Sequence, residues 1–295
     1  MIADVSVVVV TYSPGASLET FLDSLESASA EKVEVVVADN GSPDGSVERA
    51  EARGSFSVVE TGRNLGYGGA ANLGVAATSG QFVVVANPDL VWKPGSLDEL
   101  VAAAHRWPRA GAVGPLILTP SGEVYPSARA LPSLGRGIGH ALFGWWWPSN
   151  PWTVAYRHER GAPTEGPTGW LSGSCILLRR AAFDDVRGFD PGYFMYFEDV
   201  DLGDRLGRAG WQSVYAPAAV VEHAGGHATE RERSRMAVEH HRSAWRYLSR
   251  HYSGARWLPV RVVLRAGLWA RSLLASRSQR VADGAAPQRR ATPGG

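Results

Sequence analysis

The sequence is short of cysteine, lysine and long apolar runs. Cys175 is its only cysteine, which excludes a disulfide framework and any thiolate metal cluster and suits a reducing, cytoplasmic setting. No uncharged apolar stretch approaches the roughly 20 residues that span a bilayer. The opening Met1-Ile2-Ala3-Asp4 lacks the positive segment of a secretory signal. Lysine occurs only as Lys32 and Lys93, against 28 arginines, so positive charge here is almost entirely guanidinium. The 295 residues are 44% hydrophobic and 20% charged, enough for one large domain or two small ones with a sizeable core.

The formal net charge of +1 hides a split. Residues 230–295 carry 14 Arg against four acids, a net of +10, which leaves −9 for residues 1–229. An acidic body with a basic C-terminal arm points to an anionic surface as the arm's partner. No nucleic-acid reader motif accompanies the arginines, so nucleic acid is not the expected partner. The arm mixes Trp257, Leu258, Val262, Val263, Leu264, Leu268 and Trp269 with Arg at intervals. That composition suits an anionic membrane surface, with a packed or dimerising helix as the other reading. A homo-oligomer is left open.

Short β-branched runs at Val5 to Val10, Val33 to Ala38, Phe56 to Glu60 and Phe82 to Ala86 read as buried strands. Helical patterns at 17–29, Ser46 to Arg53 and Ala70 to Thr78 alternate with them. The N-terminal part therefore reads as a mostly parallel α/β sheet. Ligands of such sheets sit at the carboxyl ends of strands, where Thr11-Tyr12, Asp39-Asn40 and Asn87-Pro88-Asp89 fall. Residues 126–169, with Trp145-Trp146-Trp147-Pro148, read as a long irregular segment. Further on, Cys175 to Leu178 and Ser213 to Ala216 read as strands, with helices over Glu198 to Gly210 and 230–252 and a helix or turn opening at Phe183. Residues 279–295 read as a disordered tail.

Several polar clusters can carry chemistry, each with a plainer alternative. Asp39 can accept from a base or ribose, or it can close an Asx turn before the next helix. Arg63-Asn64-Leu65-Gly66-Tyr67-Gly68-Gly69 can bring backbone N–H groups and a guanidinium to a diphosphate, or be a turn into a helix. Asp89 can hold a hard divalent ion shared with a diphosphate, or complete an Asn-Pro-Asp turn. Glu198-Asp199, after the aromatic run Tyr193 to Phe197, can supply a base of raised pKa. It can equally be the acidic first turn of a helix. His223, beside Gly225-Gly226, is a candidate ligand or a structural imidazole.

Their order is more specific than any one of them. Val7-Val8-Val9-Val10-Thr11-Tyr12, Ala38-Asp39-Asn40-Gly41-Ser42, Asn64-Leu65-Gly66-Tyr67-Gly68-Gly69-Ala70-Ala71-Asn72, Asn87-Pro88-Asp89, Gly188-Phe189-Asp190 and Phe197-Glu198-Asp199-Val200-Asp201-Leu202 follow one another, with Arg205 and Gly210-Trp211. Over residues 4–227 this resembles the family-2 inverting glycosyltransferases of the GT-A fold, a mixed nucleotide-sugar-binding sheet flanked by helices. The Asn-Pro-Asp and Phe-Glu-Asp-Val-Asp-Leu forms look most like the bacterial rhamnosyltransferase branch. The resemblance implies a nucleotide-sugar donor, dTDP-L-rhamnose, and a polyprenyl-diphosphate-GlcNAc acceptor. It implies work at the inner face of the plasma membrane and a divalent cofactor, Mg²⁺ or Mn²⁺.

The residue roles it implies are these. Asp199 is the base, with Glu198 beside it. Thr11, Tyr12, Asp39, Asn40, Arg63, Asn64, Gly66, Gly68 and Asn87 line the nucleotide sugar. Trp170, Gly173 and Arg205 lie on the sugar and acceptor side, Arg205 having pairing with an acid on its own helix as its alternative. Asp89 and His223 hold the metal. Asn87 stands where the family's Asp-x-Asp motif begins with Asp. A UDP-sugar transferase and a silent sugar-nucleotide-binding module are the competing functions, and the intact Glu198-Asp199 pair argues against the second. The expected domains are 1–229 for catalysis, 230–278 for basic helices and 279–295 for the tail.

Overall fold

The computed structural model describes residues 4–52, 54, 56–132, 163–224 and 233–267. The tryptophan run at 145–147, most of the expected irregular segment and the expected tail lie outside them. Contacts gather into two units, Met1–Phe194 with Glu198–Ala228, and Met195–Phe197 with Thr229–Gly295.

The first unit is built on one sheet. Its strands are β1 (Val5–Thr11), β2 (Glu34–Asp39), β3 (Ser57–Glu60), β4 (Phe82–Ala86), β5 (Leu90–Trp92), β6 (Ala110–Leu118), β7 (Val124–Tyr125), β9 (Gly166–Thr168), β11 (Cys175–Arg179) and β12 (Gln212–His223). A separate two-stranded ladder pairs β8 (Ala128–Arg129) with β10 (Trp170–Leu171). The main order is β3-β2-β1-β4-β11-β6-β12-β5. The first four strands are parallel, as their alternation with helices predicts. The whole sheet is mixed, because β11 runs antiparallel to both β4 and β6.

The β-branched runs are buried on both faces, and alternation sorts them. Val7 and Val9 pack with Leu18, Phe21 and Leu25 of α1 (Ser17–Leu25), Val47 of α2 (Ser46–Glu51), and Leu97 and Leu100 of α4 (Ser96–Arg106). Val8 and Val10 pack the other way, with Ala70, Ala71 and Val75 of α3 (Tyr67–Ala76), Phe183 of α5 (Arg180–Asp185), and Leu202 and Leu206 of α6 (Glu198–Arg208). The sheet is therefore sandwiched between two helical layers. β5, α4 and β6 fill a stretch that the sequence pattern left unread. β12 runs to His223 rather than stopping at Ala216, taking a register shift between Ala216 and Val220.

α3 starts at Tyr67, three residues before the expected Ala70, because Gly66 turns the chain at φ 78°. The neighbouring backbone forces glycine there: a Cβ on Gly66 would stand 2.0 Å from the Phe194 carbonyl oxygen. The Phe194 oxygen also accepts the Tyr67 N–H at 3.1 Å.

The second unit centres on α7 (Arg233–His251). Phe197 lies 5.5 Å from the His240 ring and 5.8 Å from Tyr247, and Tyr247 stacks on His251. After the 3₁₀ turn Ala255–Trp257 the chain is helical over 258–267, where Leu258, Val262 and Val263 are exposed. Among the described residues no helix is long and apolar enough to cross a membrane.

Gly66→Ala combines a left-handed φ with a backbone clash and is expected to cost about 3 kcal/mol. Gly62→Ala, at φ 72° in open space, isolates the conformational part and should cost about 1 kcal/mol. Denaturant melts of the two variants check this; equal losses would count against the Phe194 contact as the cause.

Candidate active site

Strand ends gather the polar residues at one edge of the sheet. Thr11 and Asp39 are register partners at the ends of β1 and β2, and Thr11 Oγ1 donates to Asp39 Oδ1 at 2.8 Å. Asp39 Oδ2 accepts the N–H groups of Gly41 and Ser42, and Ser42 Oγ donates to Oδ1. The Asx turn is thus what forms, and it occupies the roughly four acceptor positions of a carboxylate. A nucleotide reaching Asp39 has to displace one of these donors, and the Ser42 hydroxyl among them is itself held by the Ser13 N–H at 2.8 Å.

Asn40 is buried and ties two loops together. Its Oδ1 accepts the Leu65 N–H at 3.0 Å, and its Nδ2 donates to the Gly66 carbonyl at 3.2 Å. Asn64 closes its own turn onto the Gly66 N–H. The glycines here serve close packing: a Cβ on Gly68 would lie 2.9 Å from Phe189 Cβ. Arg63, Asn64 and Tyr12 are exposed on the rim.

The Asn87-Pro88-Asp89 turn and His223 come together through sheet pairing. His223 is the register partner of Leu90 in the antiparallel β12–β5 pair, which puts its Nε2 3.0 Å from Asp89 Oδ1 and 3.3 Å from Asn87 Nδ2. One tautomer cannot make both as hydrogen bonds: Nε2–H donates to Asp89, or bare Nε2 accepts from Asn87. Among the described residues no group of three or more His, Cys, Asp or Glu stands ready for a metal. One carboxylate and one imidazole do not close a cage. They fit a hard divalent ion that takes its other ligands from substrate phosphates and water.

Glu198 and Asp199 open α6, directly after two consecutive left-handed residues, Tyr196 and Phe197. Such backbone costs about 1–3 kcal/mol per residue and clusters at functional sites. Asp199 is pinned at both oxygens. Gly173 N–H donates to Oδ2 at 3.0 Å and Val200 N–H to Oδ1 at 2.8 Å. Its pKa is nonetheless raised, because burial outweighs those bonds and the attraction of Arg129. Glu198 is buried, its Oε2 has no hydrogen-bond partner, and burial with the neighbouring Asp199 charge pushes it up to about 8.

Tyr67, Arg129 and Ser174 belong to this neighbourhood and were not read as site residues from the sequence. The Tyr67 hydroxyl donates to the Gly173 carbonyl, and its pKa is raised by burial first and then by Glu198 and other nearby acidic groups. Arg129 lies 5.7 Å from the Trp170 ring centre and 5.9 Å from that of Tyr125. Only the placement of Tyr67 inside the Gly-Tyr-Gly-Gly turn hinted at a role. Arg205 takes the second of its two expected roles. Its Nε donates to Asp201 at 2.6 Å and its Nη1 to the carbonyls of Val186 and Gly188, clamping α6 to the segment after α5.

A helix-flanked mixed sheet with carboxylates and an imidazole on its carboxyl edge is the GT-A frame. The sequence pattern of glycosyl transferase family 2 matches residues 6–187, and that of glycosyl transferase family group 2 matches residues 152–281. The chain belongs to glycosyl transferase family 2 and is a glycosyltransferase. Within that class it is 54% identical, over 284 residues and 92% of each chain, to the N-acetylglucosaminyl-diphospho-decaprenol L-rhamnosyltransferase of Mycobacterium tuberculosis. The Escherichia coli rhamnosyltransferase WbbL is 43% identical over 81 residues, 28% of this chain and 31% of that one. Among solved structures, the mannosyltransferase PcManGT of Pyrobaculum calidifontis, in complex with GDP-Man and Mn²⁺, superposes with a TM-score of 0.56 at 19% identity, covering 98% of this chain and 77% of that one. GalNAc-T7 with UDP, GalNAc and Mn²⁺ gives 0.57 at 16%, covering 75% and 44%. At these identities the structures speak for the fold alone.

The Glu198 shift predicts a pH signature. The folded protein keeps the Glu198 proton up to about pH 8, whereas an ordinary glutamate releases it near 4.5. The folded state binds more protons across that window, so this group's contribution to stability falls as pH rises through it. Glu198→Gln keeps the shape without the charge and should flatten the decline in melting temperature between those pH values. An unchanged slope would sink the assignment.

Proposed function

We propose that the chain transfers L-rhamnose, with inversion, from dTDP-L-rhamnose to a polyprenyl-diphosphate-linked GlcNAc during cell-wall linker synthesis. The observation that carries this reading is the 54% identity, along nearly the whole length of both chains, to a relative named as an N-acetylglucosaminyl-diphospho-decaprenol L-rhamnosyltransferase. In the proposed reaction Asp199 takes the proton of the acceptor hydroxyl as it attacks the anomeric carbon. A raised pKa suits that task, since a base works best when its pKa approaches the working pH. In-line attack inverts the centre and needs one enzymic base, unlike the two carboxylates of glycoside hydrolases.

Asp89 and His223, whose Nε2 stands 3.0 Å from Asp89 Oδ1, would hold a divalent cation, Mg²⁺ or Mn²⁺, together with the donor's phosphates. When bound, the ion neutralises the charge that grows on the leaving diphosphate. Thr11, Tyr12, Asp39, Asn40, Arg63, Asn64, Gly66, Gly68 and Asn87 are assigned to the nucleotide sugar, in several cases through the loops they brace. Trp170 and Gly173 are assigned to the sugar and acceptor side, and Arg205 serves there by holding α6.

Residues 1–229 are proposed as the catalytic domain and 230–278 as a basic arm. The arm would keep the enzyme at the inner face of the plasma membrane, where the acceptor lies. Each Arg near an anionic bilayer surface adds about 1 kcal/mol, and the exposed Leu258, Val262 and Val263 offer apolar contact beside Arg261 and Arg265.

Asp199→Ala is expected to cut transfer about 1,000-fold while donor binding by calorimetry stays near that of the parent; retained turnover would remove Asp199 from the role of base. Melting temperatures with dTDP and UDP, followed by donor screening on a short polyprenyl-diphosphate-GlcNAc with mass detection, should favour dTDP and rhamnose. A larger shift with UDP would point to a UDP-sugar enzyme. Flotation on anionic liposomes should be lost in a chain ending at Ser253, and equal flotation would overturn the arm as anchor.

A further inference from the structure

The Ser172-Gly173-Ser174 corner, between β10 and β11, touches the Asn87 turn, Asp199 and Tyr67. Ser174 O accepts the Asn87 N–H at 2.9 Å, at the start of the turn that carries Asp89. Ser172 N–H donates to Ser127 O at 2.7 Å. Gly173 stands in the middle, with its N–H on Asp199 Oδ2 at 3.0 Å and its carbonyl on the Tyr67 hydroxyl. A Cβ on Gly173 would be in van der Waals contact with both neighbours, 3.4 Å from Asp199 Cβ and from Tyr67 Cε1. Tyr67 is itself held, at the first residue of α3, with its ring edge-on to Phe189 at 6.2 Å.

We propose that Tyr67 is a positioning residue for the base: its hydroxyl fixes Gly173, and the Gly173 N–H in turn fixes the Asp199 carboxylate. The proposal rests on Asp199 being the base. The hydroxyl has no other task in this arrangement, because ring packing against Phe189 would be met equally by phenylalanine. Its raised pKa keeps it protonated and therefore a donor. The charged and titratable groups around Asp199 are Glu198 on its own helix, Arg129 from β8 and Tyr67 from α3. Tyr67 is bonded directly to the corner that holds the carboxylate.

The test is Tyr67→Phe in the full chain, assayed per folded enzyme over pH. Loss of one such hydrogen bond should lower kcat about tenfold and leave the donor KM unchanged. The acid limb of the kcat profile should move to higher pH, because a loosened Gly173 N–H no longer favours the ionised form of Asp199. A merely structural tyrosine would lower the melting temperature and leave the acid limb in place, and that result overturns the proposal. If Tyr67→Phe does not fold, Gly173→Ala perturbs the same path from the other side. It is expected to give the same kcat loss and acid-limb shift, and an unchanged profile again overturns the idea. Failure of the base assignment is read separately, as turnover retained by Asp199→Asn.

Discussion

β11 enters the sheet between β4 and β6 and runs against both. Because of that reversal its first residue meets the last residue of β4, with Cys175 opposite Ala86. The corner that precedes β11 therefore lands beside the Asn-Pro-Asp turn that follows β4. A second antiparallel pair does the same for β12, whose His223 meets Leu90 and so stands against Asp89, 134 positions away in the chain. Parallel strands alone would have sent these ends to opposite edges. The two reversals make one edge out of segments that the sequence keeps far apart.

The electrostatics of that edge follow from crowding. Glu198, Asp199 and Tyr67 all have pKa values pushed up by burial, with negative neighbours adding to it for Glu198 and Tyr67. Backbone N–H groups from Gly173 and Val200, and the Arg129 guanidinium, oppose the shift at Asp199. An acid cluster held in this way is costly to keep ionised without a cation or proton nearby, and the proposed sugar transfer would bring both into play. The left-handed backbone at Tyr196 and Phe197 adds local strain at the same place.

Much of the frame was legible in the sequence because its signals are local. Short, β-branched, uninterrupted runs such as Val7 to Val10 and Phe82 to Ala86 read as strands buried on both faces, and their alternation with helical patterns implies parallel pairing. Asp39, Asp89 and Asp199 were legible as candidates because they follow strands or open a helix. What those carboxylates do was not legible. Asp39 is engaged in its own turn, Asn40 braces a neighbouring loop, and Arg205 clamps a helix, roles that depend on partners remote in sequence. Tyr67 was passed over because one aromatic residue among glycines has no periodicity to mark it.

The sequence by itself determined the strands and helices from Val5 to Ala86, the charge split between body and arm, and the motif order that marks the family. Each depends on residues near one another along the chain. Only the tertiary structure decided that Gly173 would hold Asp199, that Tyr67 would hold Gly173, and that His223 would face Asp89. Those contacts come from strand direction and register, which no short stretch of sequence encodes, and hydrogen bonds reach only about 3 Å. A site built from such bonds exists only once the sheet has closed around β11.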